Sequence, residues 1–221
     1  MKTFVTTRCA AAGHPEFTLV FRGEPPVPDL EKSLLDYFET SVAGGTTFKA
    51  GQTVQLGWAT LRLMQRDDGT LGVLEPDLGD SLKWHEGVDQ SLYETWKQKE
   101  VLSSLELLPQ ADFPRPALHA VVCTQLFDAP AKMLARTEPH SGTDSGWFIG
   151  CFDDAHDHQR EDALTVAPLV EIAARLPQLV QFFALPVGVD LVVAPGELRV
   201  FVDGEARTPR AGSYLQAIGG R

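Results

Sequence analysis

The order of apolar and polar residues predicts a mixture of helices and strands in the first half of the chain. One apolar stripe has helical spacing and consists of Leu30, Leu34, Leu35, Phe38 and Val42. Asp29 precedes this stripe as an expected N-cap, and the glycine pair 44–45 ends it. A second, looser stripe predicts a helix over residues 89–108. The β-rich run 17–21 predicts a strand before the first helix.

Between the two predicted helices, partial alternation indicates a hairpin-like region. Residues 53–64 alternate but change phase near Gly57, which predicts a bulge or bend within the strand. The turn residues 67–69 (Asp-Asp-Gly) are followed by an apolar run, 71–74, that predicts the returning strand.

A proline-rich segment interrupts the regular patterns in the middle of the chain. Residues 109–116 (PQADFPRP) contain three prolines, so we place a domain boundary there. This predicts an N-terminal α+β domain of residues 1–115, which matches no family that we can name, and a C-terminal α+β domain of residues 116–221.

The second half again mixes strands and helices. Strands are predicted at 117–124, 146–151, 187–193 and 198–202, a helix or strand at 133–136, and a helix after Pro168. The tail from Arg210 is expected to be frayed. Because strands and helices do not alternate as βαβ units, the fold class is α+β, with mixed, mostly antiparallel sheets, packed helices and two subdomains.

Composition and charge restrict the classes of partner. The 221 residues are 43% hydrophobic and 22% charged, which is typical of a globular protein. The net charge of −11 disfavours nucleic acid and favours basic partners, or serves solubility. Eight carboxylates face one arginine, Arg160, between Glu138 and Glu171. Without a signal-like or membrane-spanning apolar run, we expect a cytoplasmic protein with no membrane partner.

One loop offers ligands for a metal ion, and the cysteines do not. The three cysteines, Cys9, Cys123 and Cys151, are widely spaced beside apolar residues, which favours buried free thiols over a disulfide framework or a CxxC metal site. The candidate metal ligands are Asp153, Asp154, His156, Asp157 and His158. We favour a solvated turn for this cluster and expect no cofactor. A metal-dependent hydrolase that uses the cluster stays open as an alternative function.

The sequence Thr143-Asp-Ser-Gly146 is similar to the surroundings of a nucleophilic serine. Such a serine also needs a base and an oxyanion hole, which the sequence does not place. We therefore favour a structural interpretation, in which Asp144 or Ser145 forms a side-chain turn and Gly146 allows an unusual backbone angle. No catalytic residue is assigned.

Four pieces of the second half, in order, resemble immunity protein family thirty-three, a domain of bacterial polymorphic-toxin systems. These pieces are the stretch 144–158 (DSGWFIGCFDDAHDH), the run 169–173 (LVEIA), Pro177 and the run 183–188 (FALPVG). The resemblance extends over about residues 117–207. It departs from the family pattern in the loop, where His156 and His158 replace residues expected to be Asp, Asn or Glu.

The resemblance implies an immunity protein that neutralises a cognate toxin by stoichiometric binding rather than by catalysis. An acidic protein would be steered toward a toxin with a basic surface. The residues predicted to bind this partner are Asp144, Trp147, Asp153, Asp154, His156, Asp157, His158, Glu161 and Asp162. A non-catalytic regulatory or scaffold module stays open as a further alternative.

Overall fold

The computed structural model describes residues 1–77, 79–153 and 155–219, without the side chains of residues 80–82 and 161. The chain divides into two compact units, Met1–Trp96 and Lys97–Arg221. Across the described residues, no helix has the length and apolar character needed to cross a membrane.

The first unit is built on a six-stranded sheet. Its elements are β1 (Lys2–Val5), β2 (Phe17–Phe21), α1 (Lys32–Ala43), β3 (Thr53–Leu56), β4 (Ala59–Gln65), β5 (Leu71–Asp77), β6 (Asp80–Glu86) and the beginning of α2 (Asp89–Ser104). The strand order is β1-β2-β5-β4-β3, with β6 also paired to β5. β2 and β5 are parallel, and the other pairs are antiparallel.

The core of the first unit joins β2 to α1. Phe17 and Phe38 are fully buried and stack with their ring centroids 3.9 Å apart. Leu34 and Val42 lie on the same buried stripe of α1. The apolar periodicity of residues 30–42 therefore predicts the packed face of this helix correctly.

Two local predictions in the first unit need correction. Gly57 has φ +55°, and Leu56 pairs with Ala59, so the irregularity predicted near Gly57 is the turn of a tight two-stranded hairpin and not a bulge. The N-cap of α1 is Glu31, not Asp29. Asp29 has φ +61° and pairs with Lys32 at 2.8 Å, which places its carboxylate beside the first turn without capping it.

The second unit contains a seven-stranded sheet. Besides the end of α2, its elements are β7 (His119–Cys123), β8 (Lys132–Arg136), β9 (Asp144–Cys151), β10 (Leu164–Pro168), α3 (Leu169–Arg175), a 3-10 helix (Pro177–Phe182), β11 (Val189–Ala194), β12 (Glu197–Val202), β13 (Glu205–Ala206) and α4 (Tyr214–Gly219). The strand order is β10-β7-β9-β8-β11-β12-β13. β7 and β9 are parallel, and their neighbours are antiparallel.

Alternate residues of the central strands form the core of the second unit. Leu134, Ile149 and Leu191 occupy one cross-strand row and are buried. The buried apolar side chains of α3 and of the 3-10 helix belong to the same unit. On the opposite face, Val121 pairs with Val166, and both side chains are exposed.

The predicted fold class is confirmed, because both sheets are mixed and mostly antiparallel and helices accompany each of them. The proline-rich segment 109–116 lies inside the second unit, which begins at Lys97. The expectation of a frayed tail is wrong: α4 follows Arg210, Leu215 is fully buried, and the Leu215 backbone N–H donates to the Ser104 hydroxyl at 3.2 Å.

Candidate functional site

The carboxylate of Asp144 organises the turn that leads into β9. Its Oδ1 accepts a hydrogen bond from the Gly146 backbone N–H, and its Oδ2 accepts one from the His140 backbone N–H, each at 2.8 Å. These two hydrogen bonds lower the pKa of Asp144, and the bond from His140 has the larger effect. The side-chain turn predicted at Asp144 is confirmed.

Ser145 and Gly146 also have structural roles. The Ser145 hydroxyl is buried and donates to the His119 backbone carbonyl at 2.7 Å, which joins β9 to β7. Gly146 has φ +74°, and a Cβ at this position would lie 2.1 Å from the Thr137 carbonyl oxygen. The unusual backbone angle predicted for Gly146 is thus present, and close packing requires glycine there.

Trp147 belongs to the core of the second unit. Its side chain is 1% exposed, and its indole N–H donates to the Phe183 carbonyl at 3.2 Å. The buried Arg136 guanidinium lies 5.4 Å from the Trp147 ring centroid. Arg136 also donates to the carbonyls of Phe183 and Leu185. Trp147 therefore has no surface to offer a partner, although the sequence pattern predicted it to bind one.

The loop between β9 and β10 presents the predicted acidic residues. Asp153 Oδ1 accepts from the Ala155 N–H, and Asp157 Oδ1 accepts from the Gln159 N–H, each at 2.9 Å. Both aspartates are exposed, and in the described part of the chain neither forms an ion pair. Asp162 pairs with Arg160 at 2.6 Å, and this bond lowers the pKa of Asp162. The predicted residues Asp154 and the side chain of Glu161 lie outside the described part.

Two histidines of this loop lie beside two cysteines from the strand ends. Cys123 ends β7, Cys151 ends β9, and one donor atom from each of Cys123, Cys151, His156 and His158 lies within 4.8 Å of the others. The Cys151 backbone N–H donates to Cys123 Sγ at 3.2 Å, and His158 Nε2 lies 3.4 Å from Cys151 Sγ. Of the predicted metal ligands, the two imidazoles join this cluster. The described carboxylates, those of Asp153 and Asp157, accept turn hydrogen bonds.

The surroundings of this cluster favour uncharged side chains. Burial is the largest effect on Cys151 and, together with the neighbouring Cys123 thiol, raises the pKa of Cys151 to about 11. Burial, followed by the charge of His156, lowers the pKa of His158. All three cysteines are buried and free, as predicted. The sequence pattern alone does not connect Cys123 and Cys151 with the histidines, because the two cysteines are 28 positions apart and come together only through the pairing of β7 with β9.

An exposed aromatic residue next to the acidic loop was missed by the sequence analysis. Phe152 is 43% exposed, and the Arg199 guanidinium lies 5.1 Å from its ring centroid. Phe152 and Asp153 line a depression of about 430 Å³ together with Gln125, Asp128, Ala129 and Pro130. An exposed phenylalanine directly before two aspartates is the sequence signal that could have indicated this surface.

The second unit matches a known protein family over most of its length. Residues 97–203 match the family model of the Imm33-like domain. Over these residues the second unit is similar to the Imm33-like domain. This confirms the predicted family, and the match begins at Lys97, the first residue of the second unit. No curated protein and no solved structure matches the chain. Within the matched residues, the Asp-Ser-Gly-Trp sequence that carried the resemblance makes the turn and core contacts described above.

Proposed function

We propose that this protein is a bacterial immunity protein that neutralises a cognate toxin by forming a one-to-one complex with it. The observation that carries the proposal is the Imm33-like domain over residues 97–203. The role of Ser145 supports binding rather than catalysis. Its hydroxyl is buried and donates to a backbone carbonyl, so it is not available as a nucleophile in this conformation.

The charge distribution supports a toxin with a basic surface. The whole chain carries a net charge of −11, and Asp153 and Asp157 project exposed carboxylates from one loop of the Imm33-like domain. Charges arranged in this way accelerate encounter with an oppositely charged partner, most strongly at low ionic strength. The single arginine of the loop, Arg160, is already paired with Asp162.

We place the contact surface on the outer side of this loop. The loop contact surface, as we define it, consists of Phe152, Asp153, Asp157 and Asp162. Phe152 supplies an exposed aromatic ring of the kind that dominates binding energy in protein interfaces, and the aspartates supply the charged rim. Asp144 contributes less to this surface, because both of its carboxylate oxygens already accept backbone hydrogen bonds.

Co-expression with a toxin-domain protein encoded beside this chain tests the proposal. We expect the chain to restore growth of cells that produce the toxin, and to co-purify with it in equal amounts. The variant Asp153→Lys/Asp157→Lys should lose most of this protection. The matched variant Glu171→Lys/Glu205→Lys, which makes the same charge change at exposed residues of α3 and β13, should keep it. A toxic partner that the chain neither binds nor counteracts would show that the proposal is wrong.

A further inference from the structure

The parallel pairing of β7 and β9 brings two thiols to the same edge of the sheet. Val122 is in register with Ile149. Cys123 directly follows Val122, and Cys151 lies two residues after Ile149, so the two cysteines end their strands side by side. The Cys151 N–H donates to the Cys123 sulfur at 3.2 Å. This hydrogen bond fixes the position of the Cys123 sulfur at the end of β9, in the way that outer hydrogen bonds orient metal ligands.

The loop that follows β9 returns its two histidines to this edge. The His156 backbone N–H donates to the Asp153 carbonyl at 3.1 Å, and the side-chain turns of Asp153 and Asp157 fix the backbone around it. The rings of His156 and His158 are 4.7 Å apart. Gly150 leaves the space for His158, since a Cβ on Gly150 would lie 3.2 Å from His158 Nε2.

The spacing of the four donor atoms is close to that of a tetrahedral zinc site. With Zn–S bonds of about 2.3 Å and Zn–N bonds of about 2.0–2.1 Å, neighbouring ligand atoms are about 3.3–3.8 Å apart. His158 Nε2 and Cys151 Sγ are already 3.4 Å apart, and the whole set lies within 4.8 Å. Side-chain movements of about 1 Å would complete the tetrahedron.

An unsatisfied polar atom also points to a ligand. His156 Nε2 is buried and has no hydrogen-bond partner among the described residues, and such an orphaned atom costs free energy. Coordination through this nitrogen would remove that cost. From this atom and the four-donor geometry, we propose that Cys123, Cys151, His156 and His158 bind one zinc ion.

Two thiolates and two imidazoles select zinc over the hard cations magnesium and calcium, which prefer oxygen ligands. Because the protein supplies all four ligands, the site is structural and leaves no open position for substrate. The ion would tie the loop to the ends of β7 and β9 and so hold the loop contact surface in one conformation, which lowers the entropy lost on binding. The zinc site rests on its own geometry and does not depend on toxin binding.

Metal analysis of the full-length chain tests this site. We expect protein that is produced with added zinc and then desalted to retain about one zinc per chain. His156→Ala and His158→Ala, in a half-buried loop, should retain less than about a tenth of that amount, as should Cys123→Ser and Cys151→Ser. The matched controls Cys9→Ser and His140→Ala, outside the cluster, should keep the full amount.

Cobalt substitution provides a second readout that separates metal binding from folding. The metal-free chain with Co²⁺ should show the visible bands of a tetrahedral site and thiolate charge-transfer absorption, and His156→Ala should lose the tetrahedral pattern while its circular dichroism stays unchanged. If the cysteine variants do not fold, the zinc content and the Co²⁺ spectra of the histidine variants test the site. A folded wild-type chain that takes up neither ion, a Cys123–Cys151 disulfide in the purified protein, or full zinc content in the histidine variants would overturn the proposal.

Discussion

The Nε2 atom of His158 lies 3.4 Å from the Sγ atom of Cys151, the last residue of β9. This contact folds the following loop back onto the end of its own strand. Asp153 and Asp157 occupy the part of the loop between these two residues and are exposed. The residues that order the loop are therefore close neighbours of the residues that we assign to partner contact, and Asp153 and Asp157 belong to both groups.

The first prediction separates charge from loop structure. Asp153→Asn/Asp157→Asn keeps a side-chain oxygen for each turn hydrogen bond but removes two negative charges. We expect the association rate with the toxin to fall by about 3- to 10-fold at low salt and its salt dependence to weaken, with little change in the dissociation rate. Stopped-flow mixing over a range of salt concentrations measures this effect.

The matched control for this experiment is Glu171→Gln/Glu205→Gln, which removes two exposed charges from α3 and β13. If the control slows association as much as the loop variant does, total charge rather than the loop contact surface steers the encounter.

The second prediction concerns pH. The hydrogen bonds to Asp144 lower its pKa in the folded state, so its ionised form stabilises the fold above the unfolded-state pKa of about 3.9. This contribution is lost as pH falls through the lower pKa of the folded protein. Asp144→Asn should destabilise the chain by about 1 kcal/mol at pH 7, because one backbone N–H loses its acceptor. The difference from wild type should shrink below about pH 4.

Urea unfolding of both proteins between neutral pH and pH 3 measures this difference. A difference in unfolding free energy that stays constant down to the lowest pH would contradict the assigned role of the Asp144 carboxylate.

The third prediction tests the conformation of Gly146. Gly146→Ala should destabilise the fold by about 3 kcal/mol or more, because an added Cβ combines a positive φ with overlap on the Thr137 carbonyl. Gly142→Ala, four residues earlier, meets no atom within 4 Å and should change stability by less than about 0.5 kcal/mol. Thermal unfolding compares the stabilities of the two variants. Equal stability would contradict the close packing and positive φ described for Gly146.

The sequence predicted most of the fold where local patterns determine structure. The stripe of α1 and the strands β2, β11 and β12 follow from the pattern of apolar residues. The strands β6 and β10 were not predicted. β10 lies at the edge of its sheet and exposes Val166, so its sequence lacks the alternation of a half-buried strand.

The candidate site could be predicted only in part, because it depends on contacts between residues that are far apart in the sequence. The composition of the loop already indicated His156, His158 and the aspartates. Their relation to Cys123 depends on the parallel pairing of β7 with β9, a non-local contact that no spacing along the chain encodes. The burial of Trp147 likewise follows from packing against Phe183, far away in the sequence.

The fourth prediction concerns the buried Arg136. Its guanidinium donates to the carbonyls of Asp112, Phe183 and Leu185 and pairs with the Asp112 carboxylate at 2.7 Å. A lysine cannot satisfy all of these acceptors, so Arg136→Lys should lower the unfolding free energy by about 2–3 kcal/mol. Asp112→Asn should cost about 1 kcal/mol, because this side chain is half exposed and an amide oxygen still accepts. Chemical denaturation measures the unfolding free energy of both variants. An Asp112→Asn variant that loses as much stability as Arg136→Lys, or more, would contradict the central position of Arg136.

The central claim is that the chain neutralises a toxin by stoichiometric binding. Its most direct test is a titration of the purified chain into the purified toxin encoded beside it, in which the heat of binding and the remaining toxin activity are followed together. We predict one binding site per toxin and complete loss of toxin activity at one equivalent. An active toxin that gives no binding heat, and keeps its activity in an excess of the chain, would contradict the claim.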